Sequence, residues 1–193
     1  MKHYDSLKKI FENLSQLHYC QRILTWDEAV LMPEGAGIYR AKTMGYLNQL
    51  IQRQTATKKI RTLIEFAKSE NLSNWDSANL KWMERKYREA SCIPLKLNTQ
   101  WVETSLSAFQ AWRKYREQNN WKDFLPYLEK SFNLILEIAR RKSETLQLSP
   151  YGALIDHFSP GLTEQKIDDF FKSLKITIPD LRKQIIEKQS QNN

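Results

Sequence analysis

From Leu7 the apolar positions fall at Leu7, Ile10, Phe11, Leu14, Leu17 and Leu24, steps of three and four that keep one stripe on one face of a helix. Asp5 or Ser6 can cap that helix. The stripe ends in TWDEAVLMPEGAGIYR, where Pro33 removes an amide donor and Gly35 and Gly37 allow backbone angles that other residues resist, which predicts a turn. A second helix follows through Tyr39, Leu47, Leu50 and Ile51, and a short third carries Ile60, Leu63, Ile64 and Ala67 before the polar break at 71–74. Residues 75–92 read as a fourth, with Trp75, Ala78, Trp82 and Met83 inward and Lys81, Arg85 and Arg88 outward.

Pro94 opens the next element, whose apolar face (Trp101, Phe109, Trp112) runs to the polar break EQNN. Asn120 is then a candidate cap for a helix through Phe124, Leu128, Phe132, Ile135 and Ile138, and the two form an antiparallel hairpin. LSPYGALIDHFSPG holds two prolines and two glycines and reads as the main irregular segment. Thr163 caps a last helix through Ile167, Phe170, Phe171 and Leu174, with Pro179 a kink or a break before Leu181 and Ile185. The pattern predicts an all-α array of about seven helices in antiparallel hairpins, with no sheet. It is expected to occupy 1–193 as a single helical region, with 189–193 a frayed tail.

Composition agrees with that reading. Five glycines and six prolines in 193 residues are few for a sandwich or a doubly wound sheet. Charged residues at 27% and hydrophobic residues at 41% are ordinary globular usage. The first 17 residues lack the apolar stretch of a signal peptide, and no run is long enough to span a bilayer, so a cytoplasmic protein without a membrane partner is expected. Cys20 and Cys92 show no zinc or disulfide spacing and read as core thiols. The net charge is +8, concentrated in the first hundred residues, a field that attracts polyanions or acidic surfaces.

The search for chemistry starts from His3, His18 and His157, the three imidazoles. No H-E-x-x-H is present and no two histidines lie within a helical turn, so no metal ligand and no catalytic residue is assigned. His3 reads as solvated and His18 as a packing residue of the first helix. Asp156 and His157 near Ser149 and Ser159 have the composition of a triad, but no Gly-x-Ser-x-Gly elbow supplies a nucleophile. The carboxylate pairs Asp27–Glu28 and Asp168–Asp169 diverge on a helix and read as solvated charge. Lys81, Arg85, Lys86 and Arg88 with Trp82 and Tyr87, and Arg113, Lys114 and Arg116 with Trp112 and Tyr115, mix cations with rings as single-strand binders do. Their spacing instead sets the rings in the core and the cations along a solvated edge, so nucleic acid is not the favoured partner.

At Trp26, Asp27, Met32, Pro33, Gly35, Ala36 and Arg40 the sequence resembles the N-terminal signature of the Taq-type metallocarboxypeptidases, the thermostable carboxypeptidase 1 family. Two further stretches agree with it: AWRKYREQNNWKDFLPYLEK, and the segment with Pro150, Tyr151, Ala153, Leu154, Asp156, Pro160, Gly161 and Thr163. The likeness runs from about residue 5 to residue 188, with departures at Val30 and Gly152.

The resemblance implies a nearly all-helical enzyme, usually a homodimer, that removes C-terminal amino acids from peptides. It also implies a divalent ion, commonly zinc, held by an H-E-x-x-H helix and a downstream Glu. Those segments lie C-terminal to the matched region, so this chain is expected to be a truncated N-terminal portion, inactive alone and without a cofactor of its own. Its partners would be peptides in the intact enzyme, a second copy, or the missing C-terminal half. Trp26, Asp27 and Arg40 are expected to fix the turn through an Arg–carboxylate clamp, with contacts to a peptide as the other reading. A catalytically dead interaction module and a nucleic-acid-binding helical protein are the alternatives.

Overall fold

A computed structural model describes residues 2–33 and 35–191. These residues form eight helices and no strand: α1 (Lys2–Val30), α2 (Gly37–Thr55), α3 (Lys58–Ala67), α4 (Asn74–Cys92), α5 (Leu95–Glu117), α6 (Trp121–Leu146), α7 (Pro150–Phe158) and α8 (Glu164–Gln191). The predicted stripe of α1 is the spine of the core. Tyr4, Leu7, Phe11 and Leu14 pack on Ile60, Ile64 and Ala67 of α3 and on Leu80 and Met83 of α4. Full burial of such side chains contributes roughly 1.5–3 kcal/mol each. The Tyr4 hydroxyl, carried inward with its ring, accepts from Asn79 Nδ2 at 3.0 Å.

Caps set the helix starts. Thr57, Ser73, Asn120 and Ser149 each accept a backbone N–H three residues on, at the head of α3, α4, α6 and α7. The second packing centre joins α2 to α5. Gly45 sits so close to the Glu103 side chain of α5 that a Cβ there would lie 2.7 Å from its carboxylate oxygen, so a larger residue would force Glu103 to move. Gln52, buried on the same helix, donates to the carbonyls of Ala90 (2.9 Å) and Ile93 (2.6 Å), and its Oε1 accepts from Asn98 at 2.7 Å. One amide thus satisfies the carbonyls left at the end of α4 and holds the α4–α5 junction.

Several expectations are corrected. The all-α array without a sheet stands among the described residues, with eight helices where about seven were expected, and the segment read as irregular is helical at 150–158. Pro150 occupies the first turn, where its missing N–H costs nothing, and Ser149 caps it. Pro179 does not break α8, whose side chains are nowhere buried, so the carbonyl it orphans faces water. The helix runs to Gln191, and 192–193 lie outside the described residues. Trp75 and Trp82 are 81% and 49% exposed, not core, because the buried stripe of α4 is Leu80 and Met83, rotated from the Trp75–Ala78–Trp82 face. Trp112, expected inward, is 38% exposed and stacks under Arg116 at 4.9 Å. Cys20 is exposed and Cys92 half-buried, both free thiols.

Candidate functional site: a cationic cleft and its ionic floor

Between α1, α2, α4 and α5 on one side and α6 and α7 on the other lies a cleft of about 630 Å³. Its apolar lining includes Phe11, Leu14, Ile51, Ile138, Leu154 and the edge of Trp101. The charged or titratable groups on it are His18, Arg22, Lys86, Glu89, Lys142 and His157. Only one of the six is a carboxylate, and that one is already engaged: Glu89 pairs with Arg85 Nε at 3.0 Å and Lys86 Nζ at 2.9 Å. Burial would raise the Glu89 carboxyl, but the His157 imidazole, 3.8 Å away, and the Lys86 and Arg85 charges outweigh it and hold the group at about 2.

Lys142 lies at the bottom. It follows Ile135 by seven residues and Ile138 by four, which places it on the buried stripe of α6 and leaves it 6% exposed. Among the described residues its ammonium makes one polar contact, 3.2 Å to Nδ1 of His157 on α7. Burial lowers its pKa, against the pull of Glu89, and the Arg85 and Lys86 charges push the same way. At the mouth, His18 hydrogen-bonds Gln21 at 3.1 Å, and its pKa falls through burial together with the positive charges of Lys86 and Arg22. Arg22 lies over the Tyr19 ring at 5.8 Å and makes no ion pair among the described residues. His18, expected to pack inside, is instead exposed on the cleft rim.

The residues singled out in the sequence sit around this cleft as braces. Arg40 on α2 donates to the Asp27 carboxylate and, at 2.6 Å, to the Leu24 carbonyl, fastening α2 to the end of α1. The Asp27 carbonyl in turn accepts from the N–H groups of Leu31 and Met32 (2.9 and 2.8 Å), so Asp27 organises the turn on both sides. Pro33 accepts from Ala36 at 3.3 Å and Gly35 takes φ of +91°. Trp26 is 55% exposed and joins no part of that network. The neighbouring acid is not solvated as expected: Glu28 is buried and accepts from Gln110 of α5 at 2.7 Å.

In the second motif Asp156 pairs with Arg85 at 3.1 Å, while Arg85 also donates to the Asp156 carbonyl. Its other oxygen accepts at 2.9 Å from the N–H of Gly161, which takes φ of +77° in the turn begun by Pro160. Asp156 thus faces away from Ser149, whose hydroxyl caps α7 and donates to Glu164 at 2.6 Å. No triad is assembled there. Tyr151 lies exposed on the outer side of α7. Among the described residues no group of three or more His, Cys, Asp or Glu could hold a metal ion, so the side chains present do not fit a metallopeptidase ion. No helix among them is long and apolar enough to cross a membrane.

An all-helical array around a long cleft is the class the fold defines. Residues 6–193 match the family model described as Carboxypeptidase Taq (M32) metallopeptidase, and the chain belongs to that family. It is 26% identical over 189 residues to thermostable carboxypeptidase 1 of Pyrococcus furiosus, covering 95% of this chain and 37% of that one. Carboxypeptidase 1 of Bacillus subtilis is 27% identical over 185 residues, with 92% and 36% covered. Among solved structures, Trypanosoma cruzi metallocarboxypeptidase 1 superposes with a TM-score of 0.83 at 29% identity, covering 98% of this chain and 38% of that protein. The chain therefore spans little more than a third of the length of the relatives it matches.

Proposed function

We propose that this chain is the groove-wall part of a metallocarboxypeptidase that removes C-terminal amino acids from peptides, and that the chain alone does not catalyse the reaction. The supporting observation is the match of residues 6–193 to the peptidase family together with the span of that match, just over a third of each relative. The intact enzyme would use a divalent ion, zinc foremost, as Lewis acid, and the residues here would wall the channel leading to it. Arg40–Asp27 and Arg85–Asp156 keep the helices lining that channel at fixed separations, a positioning role that needs no contact with the reacting atoms. A cytoplasmic location and assembly with a second copy or with the complementary C-terminal portion belong to the same reading.

Incubating the chain with zinc and an unblocked peptide, and following the peptide by mass spectrometry, tests this. An unchanged peptide mass is the expected result. Stepwise loss of single C-terminal residues would overturn the inactivity, and internal cleavage would overturn the family-based reaction type.

A further inference from the structure

The cleft carries a charge asymmetry that a general peptide channel does not require. Arg22, Lys86 and Lys142 are basic, and the one carboxylate, Glu89, is shared among Arg85 and Lys86 of α4 and His157 of α7. Lys142 is the telling residue. It is more than nine-tenths buried, it lines the cleft, and its one hydrogen-bond partner among the described residues is an imidazole nitrogen, which supplies no negative charge. Glu89 attracts this ammonium without a direct ion pair, so the buried charge is only partly compensated, and a ligand carboxylate would relieve the remaining cost. Arg22, at the rim of the same cleft, is likewise unpaired among the described residues. Burial is the first cause of the lowered pKa of both His18 and Lys142; neighbouring cations add to it, and at Lys142 Glu89 opposes it.

We infer that the cleft selects peptides carrying Asp or Glu side chains, whose carboxylates pair with Arg22 at the rim and Lys142 on the floor. This rests on the reading of the cleft as a peptide channel and names the substrate class for it. A peptide fits better than a nucleic acid because the walls between the two cations are apolar, through Leu14, Ile51, Ile138 and Leu154, and suit a side-chain-bearing strand more than a phosphate row.

The test is fluorescence anisotropy with the full chain at low and moderate salt, using end-blocked (acetylated, amidated) ten-residue peptides. One contains three glutamates, and its partner has glutamine at those positions. An unblocked version of the glutamine peptide isolates the terminal carboxylate, and a single-stranded oligonucleotide serves as competitor. The glutamate peptide is expected to bind about tenfold tighter than the glutamine peptide, with the gap shrinking as salt screens it. Arg22→Gln, at an exposed site, and Lys142→Met, checked for folding by circular dichroism, are each expected to cut that gap to about threefold or less.

Equal binding of the glutamate and glutamine peptides would overturn the inference while leaving the peptide channel standing. Absence of binding by every peptide would overturn both. Preference confined to the unblocked glutamine peptide, or tighter binding of the oligonucleotide, would assign the cations to another ligand and overturn the inference. A glutamate preference that survives both substitutions would do the same.

Discussion

Arg40 binds the Asp27 carboxylate with one guanidinium nitrogen and the Leu24 carbonyl with the other, so a single side chain closes the end of α1 onto α2 across a turn bearing Pro33 and Gly35. The pair is largely shielded, the side chains being 17% and 32% exposed. Replacing Arg40 by Met leaves the carboxylate facing its lost partner and should lower stability by about 1–3 kcal/mol, read as a shift of the urea midpoint. Arg40→Lys should recover only part of it, because an ammonium cannot fork to two acceptors. Equal midpoints for wild type and Arg40→Met would remove the clamp from the account.

Glu89 should make acid stability depend on one side chain. Its pKa is held at about 2 against an unfolded value near 4.5, so its contribution is complete above pH 4.5 and is lost as pH falls toward 2. The groups facing it are Arg85 and Lys86 on α4, Lys142 on α6, and Asp156 and His157 on α7. In Glu89→Gln the difference in stability from wild type should be a few kcal/mol at pH 6, on the order of the shift's worth, and should shrink steadily between pH 5 and pH 2. A pH-independent difference would show that packing, not charge, is what the substitution removes.

Lys142 should behave in the opposite sense. Its pKa is lowered by burial, so the charged form is what folding disfavours, and stability should rise as pH climbs through its folded pKa toward the ordinary lysine value. Lys142→Met keeps the volume and drops the charge, and is expected to raise the melting temperature at pH 7 or leave it unchanged. A fall of several degrees would mean that the attraction of Glu89 outweighs the cost of burying the ammonium.

Ser149 tests whether α7 is held by its cap. Its hydroxyl accepts from the Gly152 N–H at 2.8 Å and donates to Glu164 of α8 at 2.6 Å. Ser149→Ala should cost about 1 kcal/mol, and hydrogen exchange should accelerate in α7 more than in α1 or α4. Uniform acceleration throughout would contradict a local cap.

The helix pattern was legible wherever one face met the core continuously, as Leu7 through Leu14 met α3 and α4. It misled where two faces competed. On α4 the tryptophans mark one face by size, yet Leu80 and Met83 mark the face that α1 covers, and size alone does not choose between them. α7 was hidden by Pro150 and Gly152, residues that signal a loop in isolation and a capped first turn only once Ser149 is placed before them. The cleft was the least visible. Lys142 stands at a core register on α6, a signal the pattern did carry, but its partners Glu89 and His157 lie on α4 and α7 and no local spacing joins them.

The exposed apolar face of α8, including Phe170, Phe171, Ile178, Leu181 and Ile185, should drive association. Sedimentation velocity is expected to show concentration-dependent oligomers, and Phe170→Glu with Ile178→Lys to restore the monomer. A monomer at every concentration would contradict that surface being adhesive.

The central claim, that these residues wall a peptide channel and do not hold the reaction's metal, is tested most directly by counting zinc. After equilibration with excess zinc and removal of loosely held ion, the account predicts far less than one zinc per chain, unchanged by His18→Ala or His157→Ala. One zinc per chain, lost in either variant, would contradict it.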